Sequence, residues 1–228
     1  LKERENKIHY GQNGEAGVLE KLLLDYLRIK PTYCLEFGSG VVDDVNGTAN
    51  IRHLYDNYGC KCVYFDVDQS RRERSHKFYR SQVHIEKVTS TNVNNIFERY
   101  KVPKNLDVLV IDIDGQDYWV WKNLEYNPKI LMIEFNPSLD SEELKVMHKD
   151  EDHHKWRNNR CSYYGASIKS MKKLGLEKGY SLVFAVDRNL FFVRKEFIDV
   201  DINENILHLT AEDDFDRQYI EEQKWIEI

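Results

Sequence analysis

The sequence predicts an α/β fold, a mostly parallel sheet with helices on both faces and an antiparallel last strand. Three observations predict it. Strand-like and helix-like runs alternate over residues 33–178, the pattern of right-handed βαβ crossovers. Val108-Leu109-Val110-Ile111 and Ile130-Leu131-Met132-Ile133 are continuous apolar runs, as strands buried on both faces require. Finally, the apolar runs 181–186 and 190–193 flank the polar Asp187-Arg188-Asn189, which reads as an antiparallel hairpin closing the sheet.

In chain order, a helix over 15–28 precedes the first strand at 33–37. Helix 50–58 leads to strand 62–66, helix 70–79 to strand 83–88, helix 92–100 to strand 106–112, and helix 117–124 to strand 130–135. A polar stretch, 138–163, then precedes helix 166–178 and the hairpin, for seven strands in all. The 228 residues fit one large domain over 1–195, with 1–30 as its N-terminal helical part and 138–163 as a loop capping the substrate pocket. Residues 196–228 hold 11 Asp/Glu against Arg217 and Lys224, an acidic C-terminal extension packed on or beside the domain, with a helix expected at 211–225. The first residue is Leu1, so the chain is expected to be part of a longer multidomain polypeptide.

Of the 39 acids and 33 bases, those outside the extension number 28 and 31, a near balance without a basic stripe. Nucleic acid is therefore not an expected partner. No apolar run approaches the ~20 residues of a bilayer span. Neither a membrane nor a secretory route is expected, and a cytoplasmic setting follows. Cys34, Cys60, Cys62 and Cys161 lack a zinc-type spacing and are expected as reduced thiols.

An open parallel sheet binds ligands beyond the carboxyl ends of its strands, where strand order reverses. The loop after the first strand is Glu36-Phe37-Gly38-Ser39-Gly40, two glycines where backbone must approach a ligand and a carboxylate that could accept from the amino group of S-adenosylmethionine. A tight turn alone would also explain the glycines. The third glycine of G-x-G-x-x-G is absent, since Val41-Val42-Asp43 follow, which disfavours a bound pyrophosphate. Strand two ends in Asp66-Val67, placed to hold ribose hydroxyls, and Val88 and Thr89 are expected to flank the adenine. Asn50 either caps its helix or faces the cofactor carboxylate.

At the end of strand four stands Asp112-Ile113-Asp114-Gly115-Gln116-Asp117, three carboxylates whose clustering at a buried strand end calls for a ligand, a metal or protons. Asp117 could instead cap the helix that follows. Strand five ends in Glu134-Phe135-Asn136, so Asp112, Glu134 and Asn136 form a candidate oxygen-ligand set for Mg²⁺ or Mn²⁺. Asp112 and Asp114 are candidate catalytic groups, with His153 or His154 of the polar loop as the base. Trp156, Tyr163 and Tyr164 could stack on an acceptor, although core packing would explain the tyrosines as well.

Here a resemblance becomes specific. Tyr10-Gly11-Gln12-Asn13-Gly14-Glu15, the strand-four acids, Glu134 and Tyr163-Tyr164-Gly165-Ala166-Ser167 resemble the motifs of FkbM-like sugar O-methyltransferases over about residues 10–194. The resemblance implies a class I, Rossmann-like seven-stranded methyltransferase fold, S-adenosylmethionine as donor and a sugar hydroxyl of a glycan or nucleotide sugar as acceptor, with Glu15 and Asp117 on the acceptor side. Small domains of this kind occur in viral glycan-assembly proteins, which would place the chain in host cytoplasm. Departures are the long 41–49 loop, Ala16 where the family has an acid, and the acidic extension. The alternatives are methylation of a small metabolite or protein side chain, an NAD-dependent oxidoreductase, and an inactive interaction domain that keeps the fold.

Overall fold

The computed structural model describes residues 14–43, 47–150, 163–198 and 225–227. Its main sheet has seven strands: β1 (Tyr33–Phe37), β2 (Lys61–Asp66), β3 (Val83–Ile85), β4 (Val108–Ile111), β5 (Ile130–Glu134), β7 (Tyr180–Val186) and β8 (Asn189–Arg194). β6 (Lys145–Met147) and β9 (Trp225–Glu227) form a separate antiparallel pair. The helices are α1 (Glu15–Lys21), α2 (Arg52–Tyr58), α3 (Gln69–Arg74), α4 (Val93–Arg99), α5 (Asp117–Asn123) and α6 (Ile168–Glu177). None among the described residues is long and apolar enough to cross a membrane.

Strand order is β3-β2-β1-β4-β5-β8-β7, parallel from β3 to β5, with β8 antiparallel to both β5 and β7. The expected parallel sheet with a reversed last strand is therefore present. The two-residue pleat sorts each strand between two cores. Leu35, Phe37, Leu109, Ile111, Leu131 and Ile133 pack with α4, α5 and α6 on one face. Cys34, Tyr64, Val108, Val110, Ile130 and Met132 pack with α1 and α2 on the other. Both faces of β1, β4 and β5 are covered, which is why those segments read as unbroken apolar runs.

Several boundaries differ from expectation, for local reasons. The helix expected over 15–28 keeps α-helical bonding only to Lys21 and then widens to a π-turn over Leu22–Tyr26, where Leu27 N–H reaches Leu22 O at 2.9 Å. Strand 83–88 stops at Ile85 because its partner β2 ends at Asp66. Helix 70–79 stops at Ser75, whose backbone turns extended and whose hydroxyl accepts from Val42 N–H at 3.0 Å, anchoring the long loop after β1. The 138–163 stretch contains β6 rather than loop alone, and Trp225, expected at a helix end, lies in β9. The rest of the 211–225 helix lies outside the described residues. The buried thiols Cys34, Cys60 and Cys62 are free, and Cys161 is not among the described residues.

At the amino ends of the strands, buried Asp107 ties three of them together. Its Oδ2 accepts from Thr32 N–H (2.6 Å), Thr32 Oγ1 (2.8 Å) and Tyr33 N–H (3.1 Å) below β1, and its Oδ1 pairs with Lys129 below β5 at 2.6 Å. Asp107→Ala leaves the Thr32 and Tyr33 amide donors and the Lys129 ammonium without their acceptor. It is expected to lower unfolding free energy in denaturant titration by about 3 kcal/mol.

Candidate functional site

β1 runs between β2 and β4, so the chain leaves it toward β2 on one side while β4 lies on the other. A cleft of about 1210 Å³ opens beyond the carboxyl ends at this reversal, as the rule for open parallel sheets requires. Continuing the strand register by one residue past Phe37, Phe65, Ile111 and Ile133 sets Asp66, Gly38, Asp112 and Glu134 in one row across the sheet. Asn189 extends the row, since it pairs opposite Glu134. All five share the parity of the face covered by α1 and α2, and all five line the cleft.

Gly38 is the gap in the row. Its φ is 75°, and a Cβ there would lie 1.5 Å from the Asp112 carbonyl oxygen. Gly40, at φ 64°, would place a Cβ 2.1 Å from Thr48 Oγ1. Only glycine meets both demands, which explains the spacing seen in the sequence. The loop is fastened from below, as Gly38 N–H donates to Phe65 O at 2.9 Å and Gly40 N–H to Asp66 Oδ2 at 2.9 Å. Asp66 also accepts from Asp68 N–H (2.8 Å) and Arg71 Nη1 (3.0 Å). Its carboxylate thus braces the glycine loop while facing the cleft.

Two expected donor-side residues lie elsewhere. Glu36 does not line the cleft. It is one pleat below the row, and α2 starts directly over it, so its carboxylate accepts from Asn50 N–H, Asn50 Nδ2 and Ile51 N–H at 2.9–3.2 Å. Asn50 lines the cleft with its amide turned back to Glu36, and α2 begins only at Arg52 with no side-chain cap. Ser39, in the loop itself, is buried and does not line the cleft. Val67, 54% exposed, Val88 and Thr89 line the cleft.

On the other side, oxygens of Asp112, Asp114 and Glu134 all lie within 4.8 Å of one another. Asp114 adopts φ 58° and is followed by Gly115 at φ 130°, a strained turn held by Asp117, which accepts from Ile113 N–H (2.9 Å) and Gly115 N–H (2.8 Å). Asp117 is fully buried and outside the cleft lining, so its role is to shape the acidic loop rather than to touch a substrate. Asn136 likewise departs from expectation. Its Nδ2 donates to Tyr164 O (3.0 Å) and its Oδ1 accepts from Ser138 N–H (3.0 Å), so Asp114 and not Asn136 joins Asp112 and Glu134. Tyr163 and Tyr164 are buried posts: the Tyr163 hydroxyl accepts from His148 N–H, and the Tyr164 hydroxyl from Arg188. His153, His154 and Trp156 lie outside the described residues.

The hairpin turn Asp187-Arg188-Asn189 also lines the cleft, and sequence reasoning missed it as a site. The signal was available. A hairpin that follows a strand parallel to β5 must turn at the ligand end of the sheet. Glu15, buried at the start of α1 and 3.4 Å from Asn189 Nδ2, completes the wall.

These acids repel one another out of water. Burial, then Asp117, Asp114, Glu36 and Glu15, hold the Asp112 carboxyl well above the usual carboxylate range. Burial and Asp112 do the same to Glu134, against a smaller opposite pull from Arg188. Burial pushes Glu36 up to about 7 despite the amides that lower it, and Asp117 likewise up to about 7.

No family model matches the chain, and no curated protein does. Among solved structures, 73% of the chain is similar to 69% of a SAM dependent methyltransferase from Archaeoglobus fulgidus, at 11% identity and a TM-score of 0.41. For a Galdieria sulphuraria protein described as a sarcosine dimethylglycine methyltransferase the values are 74%, 62%, 11% and 0.45. For the MycE methyltransferase of the mycinamycin biosynthetic pathway, solved with Mg and SAH, they are 77%, 48%, 15% and 0.45. The chain thus spans less than two thirds of the length of the latter two.

The raised carboxyls set the sign of a pH effect. Their folded values exceed the unfolded ones near 4, so the folded chain binds more protons, and stability present at low pH is lost as pH rises through about 7. In chelator-treated protein, unfolding free energy is expected to fall between pH 5 and 8. Glu134→Gln should flatten that fall and gain about 1–3 kcal/mol at pH 8. Flat or rising wild-type stability across this window would contradict the buried-charge account.

Proposed function

We propose that this chain is an S-adenosylmethionine-dependent O-methyltransferase that transfers a methyl group to a sugar hydroxyl of a glycan or nucleotide sugar. The observation that carries the reading is the charge of the cleft at the switch point. A dinucleotide fold turns the free amides of its first crossover helix toward a pyrophosphate. Here the Glu36 carboxylate takes the amides of Asn50 and Ile51 at the start of α2, and Glu15, Asp112, Asp114 and Glu134 add further carboxyl groups, able to ionise against a cation, to the lining of the cleft. A diphosphate would be repelled. A ligand bearing a sulfonium and an ammonium would be attracted, which favours a methyl donor over NAD.

In this reading Gly38 and Gly40 let the donor lie against the loop, Asp66 holds ribose, and Val67, Val88 and Thr89 flank the adenine. The acceptor faces a wall of hydrogen-bond acceptors in Glu15, Asp112, Glu134 and Asn189, chemistry that suits a polyhydroxylated molecule. A hydroxyl is a poor nucleophile until its proton leaves or a cation stabilises the alkoxide. Asp112 and Asp114 are the groups placed to take that proton, and His153 and His154 remain candidates for the same task. Asp112, Asp114 and Glu134 would hold Mg²⁺ or Mn²⁺, which would supply Lewis-acid stabilisation of the alkoxide. The residues fit such an ion because Glu134 Oε2 is buried without a hydrogen-bond partner. The protein's remaining contribution is in-line positioning.

Calorimetry is expected to show S-adenosylhomocysteine binding and none for NAD, with Asp66→Ala weakening it at least about tenfold. Methyl transfer from labelled donor should enter a panel of nucleotide sugars and glycans rather than protein. Tight NAD binding without S-adenosylhomocysteine binding would sink the reading, and label entering protein alone would shift the acceptor to a side chain.

A further inference from the structure

We infer that Asn189, in the turn of the last hairpin, is a fourth oxygen donor of a divalent-cation site with Asp112, Asp114 and Glu134. The inference rests on the reading of the acidic set as a cation site and extends it to a residue on another strand. Two buried polar atoms in this part of the cleft have no hydrogen-bond partner: Glu134 Oε2 and Asn189 Oδ1. Both side chains are more than nine-tenths buried, at 9% and 7% exposure, and both line the cleft. An unpartnered buried oxygen costs about 1–3 kcal/mol, so two side by side point to a ligand that completes them.

They are side by side by construction. Glu134 and Asn189 are directly opposite in the antiparallel β5–β8 pair, which sets their Cβ atoms about 5 Å apart on one face. Glu134 is in turn within 4.8 Å, oxygen to oxygen, of Asp112 and Asp114. The amide of Asn189 is oriented, because its Nδ2 donates to Glu15 Oε1 at 3.4 Å and leaves Oδ1 as the free end. Both orphaned atoms are acceptors, so their ligand is a cation or a hydrogen-bond donor. The adjacent carboxyl groups favour the cation, since a divalent ion can displace their protons and compensate the ionised acids, which a neutral hydroxyl cannot do. Carboxylate and amide oxygens without nitrogen or sulfur suit Mg²⁺, Mn²⁺ or Ca²⁺. Asn136, the amide expected in this role from sequence, is consumed by Tyr164 and Ser138, whereas Asn189 stands in the row itself.

The test is Mn²⁺ binding to the whole chain, followed by paramagnetic resonance of free Mn²⁺ after chelator treatment and gel filtration. Wild type is expected to bind one Mn²⁺, Asp112→Asn to lose it, and Asn189→Leu to weaken it at least about tenfold. Asn189→Ser, a smaller change, covers the case in which the leucine variant does not fold, and should weaken binding in the same direction. Wild-type affinity in both Asn189 variants would overturn the inference, as would no Mn²⁺ binding by wild type. Calorimetry with S-adenosylhomocysteine on the same samples separates the two readings. Mn²⁺ binding without nucleoside binding leaves the cation site standing and removes the methyl-transfer reading. Nucleoside binding without Mn²⁺ binding does the reverse.

Discussion

The site depends on the pleat staying in register across five strands. Because side chains alternate faces every residue, a shared parity at the carboxyl end delivers Asp66, Asp112, Glu134 and Asn189 to one face, in one row, with Gly38 as the gap between the first two. A slip of one residue in β4 would replace Asp112 in that row by an apolar neighbour. The close approach of Gly38 to the Asp112 carbonyl locks β1 against β4 at this level, and the Asp66 bond to Gly40 locks the loop against β2. At the opposite end of the sheet, Asp107 clamps the starts of β1, β4 and β5. The interior of those strands carries the hydrophobic stabilisation, and the polar clamps at either end fix which residues meet.

Much of this was legible in the sequence because it rests on patterns of short period. Unbroken apolar runs named the central strands, and the hairpin with its Asp187-Arg188-Asn189 turn named the reversed last strand. The glycine loop and the acids at the ends of strands two, four and five were readable because the ligand side of a parallel sheet follows from topology alone. Other features were not readable, for definite reasons. Glu36 looked like a ligand group because it lies near a strand end on the same face as the row, but it is one pleat lower, where the residues leading into α2 cover it and their backbone amides take its carboxylate. Asn136 follows Glu134 by two residues and should share its face, but β5 ends between them, and the chain turns to pair with Ala166 and Tyr164. That the hairpin turns at the ligand end of the sheet was readable from topology, but the placing of Asn189 opposite Glu134 depends on the β5–β8 register, a contact between distant parts of the chain that no local pattern encodes. The β6–β9 pair is of the same kind.

Placing so many acids at one strand end works against stability, and the fold shows how it is contained. Asp117 and Glu36 are satisfied by backbone amides, and Arg71 pairs with Asp66. Asp112, Asp114, Glu134 and Asn189 line the cleft together. Structural needs account for the first group. The second group is what the proposed cation would complete, in a cleft of about 1210 Å³.

The most direct measurement is a crystal structure of the chain grown with S-adenosylhomocysteine and Mn²⁺, the metal located by its anomalous signal. The account predicts nucleoside density against Gly38 with its ribose at Asp66, and an anomalous peak among Asp112, Asp114, Glu134 and Asn189. Nucleoside density away from the Gly38 loop, or a cleft that admits neither ligand at saturating concentration, would contradict it.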